Sequence, residues 1–374
     1  FGCIRTSTVT VYTTPATITG TLSVCQGLTT PLFNSVTGGS WSSASTSVGT
    51  IDPLSGIFFG VSAGTTTVSY STGGYCHVTA VVTVHPTPII SGSSTVCVGE
   101  SIALTAMPTG GTWLSDTPPV ATVGTSSGIV DGNAPGTATI SYTSLAGCIS
   151  GRVITVNLSP GPITGTLSLC VGYNTLLGNS VPGGTWSTST PGVAGIGMPA
   201  GTIIGVSSGT ATIIYTLPGA CITTADVTVN PVPSIIGDSV FCTADTTTLT
   251  SDISGGTWTS SASPVIAINL TTGVLTATLP GGTSTITYTL PTGCYKTLTV
   301  TFNPTPSPIT GPPFLCEGDI APFSSAPSGG TWAAFPPSVI TIDTAGVVTA
   351  AGPGVGTIHY SFATGCFSSL DVTV

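Results

Sequence analysis

The sequence predicts an all-β protein built from five β-sandwich repeats, and three observations lead to this prediction. Gly-Gly-Ser/Thr-Trp occurs five times at a nearly constant spacing. Cysteines stand at fixed distances from each of these tryptophans. Short segments alternate aliphatic residues with Ser or Thr, and Gly- and Pro-rich turns separate them, as strands of a sandwich require.

The composition supports a folded chain with few charges. Only 3 of the 374 residues are Lys or Arg and 12 are Asp or Glu, so 4% of the chain is charged, against about 25% in an average protein. Abundant branched aliphatics argue against disorder. Arg5, Arg152 and Lys296 are isolated, which argues against nucleic acid or an anionic membrane as a partner. No apolar run approaches the roughly 20 residues that span a bilayer, and without a signal peptide we expect a mature or excised segment.

The repeat itself is the strongest signal. The tryptophan of the motif recurs with a period of about 73 residues. Each tryptophan follows one cysteine at a fixed interval, as Trp41 follows Cys25, and each repeat then has a tyrosine six residues before a second cysteine. We expect both aromatic residues to fill the core of each sandwich. The tryptophans are Trp41, Trp113, Trp186, Trp258 and Trp332, and the tyrosines are Tyr70, Tyr142, Tyr215, Tyr288 and Tyr360.

The second repeat shows how strands are predicted. Ser101-Ile-Ala-Leu-Thr-Ala106 alternates, Gly136-Thr-Ala-Thr-Ile-Ser-Tyr142 places Ala138, Ile140 and Tyr142 on one face, and Val153-Ile-Thr-Val156 ends the unit. Semi-rigid Pro-rich links join the repeats at residues 85–88, 158–162, 230–233 and 303–308. The predicted domains are residues 13–85, 86–158, 159–230, 231–303 and 304–374, preceded by an extra strand at residues 1–12.

These motifs resemble a known family. The run Gly-Gly-Thr-Trp, Val120-Ala-Thr-Val123, Ser127-Gly-Ile-Val130 and Gly136-Thr-Ala-Thr-Ile140 is similar to bacterial immunoglobulin-like (Ig-like) domains of group 2. The resemblance covers all five repeats and implies a tandem Ig-like array, as in surface filaments and adhesins of Bacteroidetes-type bacteria. Two cysteines per repeat depart from the family pattern.

Ten cysteines form five pairs at a nearly constant spacing, which predicts one disulfide in each repeat. No CxxC occurs, so zinc is the weaker interpretation. Disulfides indicate an oxidising, extracellular setting, and each loop closure should stabilise its repeat by about 4 kcal/mol. We expect the bond to connect the edge segment before the second strand to the final strand. The pairs are Cys25/Cys76, Cys97/Cys148, Cys170/Cys221, Cys242/Cys294 and Cys316/Cys366.

Cys3 is the eleventh cysteine. Residues 1–11 align with residues 364–374, so residues 1–12 resemble the last strand of a preceding repeat. One explanation is a segment of a longer array, in which Cys3 pairs upstream; this is the interpretation we favour. The other is exchange of a donor strand between subunits.

Solubility with so few charges points to Ser and Thr hydroxyls, glycans, or packing in a fibre. Asp-Ser/Thr followed by a small or aliphatic residue resembles the Bacteroidetes O-glycosylation signal, and Asn-x-Ser/Thr is the N-linked sequon, although an unmodified turn or strand residue is the interpretation we favour at each single site. The candidate sites are Ser239, Thr246 and Thr344 for O-linked glycans and Asn157 and Asn269 for N-linked glycans.

Catalysis is not predicted. Three GxSxG matches, at residues 60–64, 124–128 and 205–209, fall at repeated turns and lack the helix that a nucleophile elbow needs. His77, His85 and His359 do not recur between repeats, and Glu317 and Asp319 are a lone carboxylate pair. We therefore expect no enzyme, cofactor or metal.

The sequence favours a structural function: a segment or subunit of an extracellular bacterial surface filament that gives reach and stiffness. At about 35–40 Å per repeat, five repeats would span nearly 200 Å. The expected partners are copies of the chain, adjoining repeats, and glycans. Alternatives are an adhesin or carbohydrate-binding array, or a spacer of a larger secreted protein.

Overall fold

The computed structural model describes residues 5–73, 76–243, 245–262, 266–277 and 281–374. These residues form an all-β tandem Ig-like array without a helix in any described part. The chain divides into two compact units. Because the division runs through the third repeat, the five domain boundaries stay predictions. Unit one comprises Phe1–Ile163, Asn179–Thr185 and Ile214–Thr224, and unit two comprises Thr164–Gly178, Trp186–Ile213 and Ala225–Val374.

The first repeat shows the architecture most clearly. Two four-stranded sheets have the orders β1-β3-β6-β5 and β2-β8-β7-β4. The first strand of the sandwich is divided: β1 pairs antiparallel with β3, whereas β2 pairs in parallel with the last strand, β8. The strands are β1 (Thr19–Gly20), β2 (Ser23–Cys25), β3 (Thr29–Phe33), β4 (Ser40–Ser43), β5 (Gly49–Ile51), β6 (Ile57–Gly60), β7 (Gly64–Gly73) and β8 (Cys76–His85).

The strands of the second repeat are arranged in the same way. Its sheets are β10-β17-β16-β13, β11-β15-β14 and the short pair β12-β9, and β10 again runs parallel to the last strand, β17. Its strands are β9 (Ile89–Ser91), β10 (Thr95–Cys97), β11 (Ser101–Ala103), β12 (Thr105–Met107), β13 (Thr112–Ser115), β14 (Ala121–Val123), β15 (Ile129–Gly132), β16 (Gly136–Thr143) and β17 (Ile149–Asn157).

The third repeat keeps the parallel pair between its cysteine-bearing first strand and its last strand, β18 with β24, and the sheet β19-β22-β21. Its strands are β18 (Ser168–Cys170), β19 (Asn174–Leu176), β20 (Thr185–Thr188), β21 (Ala194–Gly197), β22 (Thr202–Gly205), β23 (Gly209–Thr216) and β24 (Ile222–Asn230).

The fourth repeat has the sheets β26-β33-β32-β29, β27-β31-β30 and β25-β28, and the fifth has β34-β37-β36 and β35-β38-β39. The strands of the fourth repeat are β25 (Ile235–Ile236), β26 (Val240–Cys242), β27 (Thr246–Thr248), β28 (Thr250–Ser251), β29 (Thr257–Ser260), β30 (Ile266–Ile268), β31 (Val274–Ala277), β32 (Gly282–Thr289) and β33 (Tyr295–Asn303). Those of the fifth repeat are β34 (Ile320–Pro322), β35 (Thr331–Phe335), β36 (Ile340–Ile342), β37 (Val347–Ala350), β38 (Val355–Ser361) and β39 (Phe367–Thr373).

The alternation predicted for the second repeat is present in the structure. Ala138, Ile140 and Tyr142 of β16 are all buried, and Ile154 and Val156 of β17 pack in the same cluster. Successive strand residues point to opposite faces, so one register places this whole set between the sheets. Comparable clusters of buried residues lie in the first, fourth and fifth repeats.

The Gly-Gly-Ser/Thr-Trp motif is shaped by the tyrosine of the same repeat. In the second repeat, Tyr142 Oη accepts a hydrogen bond from Gly111 N at 2.6 Å and donates one to Pro108 O at 2.8 Å. A Cβ on Gly111 would lie 2.6 Å from the Tyr142 ring, and Gly110 has a φ of +89°. The first glycine therefore allows the turn, and the second leaves room for the phenol. The same pair of tyrosine hydrogen bonds occurs in the other four repeats.

Replacing the phenol should therefore weaken the second repeat. Tyr142→Phe leaves the partly buried N–H of Gly111 without an acceptor, which costs about 1–3 kcal/mol. Native-state amide exchange in β16 and β17 should become faster, because it reports the opening of this repeat separately from the others. Thr137→Ala, at an exposed position of the same strand, should leave exchange nearly unchanged. Equal exchange in both variants would show that the phenol does not hold the turn.

Candidate functional site: the disulfide junctions between repeats

Every disulfide in the described chain joins two consecutive repeats. The prediction of one disulfide within each repeat is therefore wrong. The sequence spacing is compatible with both patterns, because adding one period of the repeat to the interval between the two cysteines of a repeat gives the observed separation. The bonds are Cys25–Cys148, Cys97–Cys221, Cys170–Cys294 and Cys242–Cys366, with sequence separations of 123, 124, 124 and 124.

The first cysteine of each pair lies at the end of its own repeat. Because β2 runs parallel to β8, Cys25 is the Cα partner of His85, the last residue of β8. The next residue, Gln26, donates its backbone N–H to His85 O at 2.9 Å. The thiol is thus fixed where the chain leaves the first repeat. We call Cys25, Cys97, Cys170, Cys242 and Cys316 the exit cysteines.

The second cysteine of each pair lies in the hairpin before the last strand. In the second repeat, Ser144 N donates to Cys148 O at 2.8 Å and closes the turn between β16 and β17. The four bonded cysteines of this kind are each 1% exposed, so the junctions cover them. We call Cys76, Cys148, Cys221, Cys294 and Cys366 the hairpin cysteines. We expected each bond to connect the edge segment before the second strand to the final strand. Bonds of this kind are present, but the edge segment belongs to one repeat and the final strand to the next.

Polar groups complete the junctions. Asn157, the last residue of β17, donates its Nδ2 to Gly219 O in the hairpin of the third repeat at 3.3 Å. The Cys366 sulfur lies 3.8 Å from Asn303 O. Tyr173 and Tyr295 follow Cys170 and Cys294 closely in sequence, and a hydrogen bond with Tyr295 raises the pKa of Tyr173 because it stabilises the neutral phenol.

Together the bonds form two interlaced covalent paths. A hairpin cysteine is followed by the exit cysteine of the next repeat after little more than one strand and a linker, as in residues 148–170 and 221–242. One path runs from Cys25 to Cys148, along the chain to Cys170, and across to Cys294. The other runs from Cys97 to Cys221, along the chain to Cys242, and across to Cys366. The loops overlap, so any single backbone cut between Cys25 and Cys366 leaves the chain connected.

Two of the predicted disulfide cysteines are free in the structure. Cys76 is half-exposed and Cys316 is exposed. The physical reason is the pairing rule: Cys76 is the hairpin cysteine of the first repeat and needs an exit cysteine before it, whereas Cys316 needs a hairpin cysteine after it. Cys3 lies outside the described residues.

The predicted aromatic residues come together in pairs. The tryptophan and tyrosine rings lie 4.5–4.7 Å apart between centroids in the first, second, fourth and fifth repeats. All five tyrosines, and also Trp41, Trp113 and Trp258, are buried. Trp186 and Trp332 are half-buried.

The candidate glycosylation residues are dispersed. Thr246, Thr344 and Asn269 are exposed, and Ser239 is half-buried. Asn269 Oδ1 accepts hydrogen bonds from Thr271 and from the backbone N–H of Thr272, which places it at the start of a turn. Asn157 uses its Nδ2, the atom that an N-linked glycan would occupy, in the contact with Gly219. Modification of all five residues stays a prediction.

The GxSxG serines take part in turns. Ser62 donates to Ser47 O and Ser207 donates to Gly192 O, both at 2.6 Å. Within the described ranges, no three His, Cys, Asp or Glu side chains are grouped so that they could hold a metal ion. No helix long and apolar enough to cross a membrane is found among the residues the structure covers.

The fold and the junctions define a tandem Ig-like β protein with disulfide-bonded repeats. No family model and no curated protein matches the chain, so the resemblance to group 2 domains stays a prediction.

The solved structures to which the chain is similar include the following three. Invasin, a bacterial integrin-binding protein, is 13% identical over 96% of this chain and 99% of that one, with a TM-score of 0.35. The C-terminal 282-residue fragment of intimin, in complex with the intimin-binding domain of its translocated receptor, is 20% identical over 43% and 70%, with a TM-score of 0.30. Sidekick-1 immunoglobulin domains 1–5 are 11% identical over 97% and 98%, with a TM-score of 0.21. Such scores carry no argument about function.

The pairing can be tested by cutting a linker. A protease recognition sequence inserted after Pro86 allows cleavage between the first two repeats. The cut chain should migrate as one species without reductant and separate into its two fragments with reductant, because Cys25–Cys148 bridges the cut. Adding Cys148→Ser should separate the fragments without reductant, and adding Cys221→Ser should not. If the fragments of the cut parent chain separated without reductant, the disulfides would have to lie within the repeats, as first predicted.

Proposed function

We propose that this chain is a structural segment of an extracellular bacterial surface filament. In it, the disulfide junctions limit both bending between consecutive repeats and their separation under tension. The observation that carries the proposal is the double covalent connection between neighbouring repeats. One connection is the linker and the other is the disulfide beside it. Disulfides of this number fit an oxidising compartment.

Resistance to bending follows from the position of the exit cysteine. Its Cα pairs with the last residue of the final strand, so the disulfide leaves the repeat beside the linker. Two attachment points at different places on the next repeat restrict rotations that a single linker allows. In the junction of the second and third repeats, the contact between Asn157 and Gly219 adds a third attachment.

Resistance to stretching follows from the interlaced paths. Each segment between a hairpin cysteine and the next exit cysteine consists largely of a last strand and a linker, for example β17 and the residues after it. Such a segment, roughly 22 residues long, spans about 75 Å when fully extended. Two repeats at about 35–40 Å each span a similar distance. Tension on an array would therefore meet covalent paths with little slack, and the strands between an exit cysteine and the hairpin cysteine of the same repeat would carry none of it.

The disulfides also stabilise small domains. A loop of about 124 residues corresponds to about 5 kcal/mol on the chain-entropy model, and less where loops overlap. Repeats of about 73 residues bury a limited core. Bonds between repeats make unfolding of one repeat depend on its neighbours, which suits a protein that works outside the cell without repair.

Surface localisation is tested on producing cells. Gold-labelled antibodies against the chain should mark extracellular filaments along their length. Label confined to one tip would favour the adhesin function, and label inside the cell would contradict the proposal.

Bending is tested by electron microscopy of the isolated chain. Cys25→Ser combined with Cys148→Ser should broaden the distribution of angles between the first two repeats, because the linker alone then joins them. Cys76→Ser removes a thiol that is free in the structure and should leave the distribution unchanged. Identical distributions in the parent chain and the double variant would show that the disulfide does not stiffen the junction.

A further inference from the structure

Residues 9 and 11 are exposed, although their counterparts are both buried in the first four repeats and are buried and half-buried, respectively, in the fifth. Counting from the hairpin cysteine and from Cys3, Val9 and Val11 match Val82 and Val84 of the first repeat, and corresponding pairs in the later ones. Val82 and Val84 are 0% and 2% exposed, whereas Val9 is 81% and Val11 is 88% exposed. The segment has the apolar alternation of a last strand without a sandwich around it.

The same segment contacts Cys76 as a last strand contacts the bonded cysteines. Tyr12 corresponds in phase to Asn303. The Cys76 sulfur lies 4.0 Å from Tyr12 O, and the Cys366 sulfur lies 3.8 Å from Asn303 O. Thr72 Oγ1 also donates to Thr13 O at 2.6 Å. At the fourth junction, the exit cysteine Cys242 is the Cα partner of Asn303.

We propose that residues 5–12 are the last strand of another Ig-like repeat, one that lacks its own last strand, and that the exit cysteine of that repeat bonds to Cys76. The incoming strand would run parallel to residues 10–12 and place its cysteine beside Tyr12. Burial of Val9 and Val11 supplies the apolar contact, and oxidation of the two thiols by a disulfide oxidant such as oxidised glutathione makes the bond. The partner is a preceding repeat of the same kind as the five described here.

A complete second copy is the poorer occupant. The fifth repeat already contains its last strand, β39, with Val372 fully buried. A second copy could accept residues 5–12 only if β39 left its place. The inference extends the proposed filament function by naming what docks on the first repeat. It stands separately, because the bending of the internal junctions does not depend on it.

The experiment supplies the missing strands in the same polypeptide. Residues 304–365 of the fifth repeat, without β39, are placed directly before residue 3 of the full chain. Cys316→Ser in the original fifth repeat and Cys3→Ser leave one unpaired exit cysteine, that of the added copy. Peptide mapping after digestion at acid pH, which suppresses thiol exchange, then identifies the partner of Cys76. A control chain places residues 304–374, with Cys366→Ser, before Tyr12, so that the added copy keeps its own last strand and has the same single thiol.

The expected result is a bond between Cys76 and the added copy in both chains. In the test chain, amide exchange in residues 5–12 should also be slower than in the chain without any addition. Val9→Asp should abolish the bond in the test chain, because it puts a carboxylate at the buried position. Thr8→Asp should preserve it, because Asp226 and Asp371 occupy that position in the third and fifth repeats and accept hydrogen bonds from threonine hydroxyls at 2.7 Å.

Two outcomes would overturn the inference. In the first, the control chain forms the bond while Cys76 of the test chain stays a free thiol, so residues 5–12 do not serve as a last strand. In the second, the chain without any addition forms multimers linked through Cys76 and Cys316 under the same oxidising conditions. A second copy, and not a preceding repeat, would then be the partner.

Discussion

The parallel pairing between the short cysteine-bearing strand and the last strand is the constraint on which the junctions depend. In the first four repeats, the cysteine-bearing part of the first strand lies beside the final strand in the same direction, and in the fifth repeat an isolated parallel bridge between Phe314 and Thr373 takes its place. The cysteine that ends this part is therefore placed at the exit of the repeat, next to the linker. An antiparallel arrangement would carry the same cysteine to the opposite end of the sandwich, where the next repeat could not reach it.

The hairpin cysteine lies at the opposite end of the sandwich. The last strand of a sandwich starts at the end where its repeat begins and finishes at the end where the repeat leaves. A cysteine at the start of that strand, such as Cys148 before β17, therefore faces the previous repeat. Exit and hairpin cysteines lie at opposite ends of one sandwich, so a bond within the repeat would have to cross its length. Bonds between repeats need no distortion, as the Cα–Cα distances of 5.6–5.8 Å show.

The fold class was predictable from the sequence because strand alternation is a local property. Ala138, Ile140 and Tyr142 were placed on one face by spacing alone, and all three are buried. The disulfide partners were not predictable by the same reasoning. A repeat array fixes each cysteine only in its phase within the period, and residues 97 and 170 have the same phase. Deciding which of them bonds to residue 221 requires knowing that the exit and hairpin cysteines lie at opposite ends of one sandwich, and that is set by non-local strand pairing. The unpaired state of Cys76 and Cys316 follows from the pairing rule and was missed with it.

The disulfide junctions give a physical reason for the low charge of the chain. Surface ion pairs contribute at most about 1 kcal/mol each and weaken with salt. A disulfide closing a long loop contributes several times more and does not depend on ionic strength. Because the cores are small, aliphatic residues and disulfides together supply most of the stability. The fold therefore needs few charged residues. The cost is dependence on redox conditions. The thiols most open to redox chemistry are the two free ones: Cys316 is exposed and Cys76 is half-exposed beside Tyr12, whereas the bonded hairpin cysteines are 1% exposed. A further repeat docked on the first one would bury both the Cys76 thiol and the apolar strand of residues 5–12. The thiol that is accessible in the described chain would then form a covered disulfide, and the extended array would resist reduction.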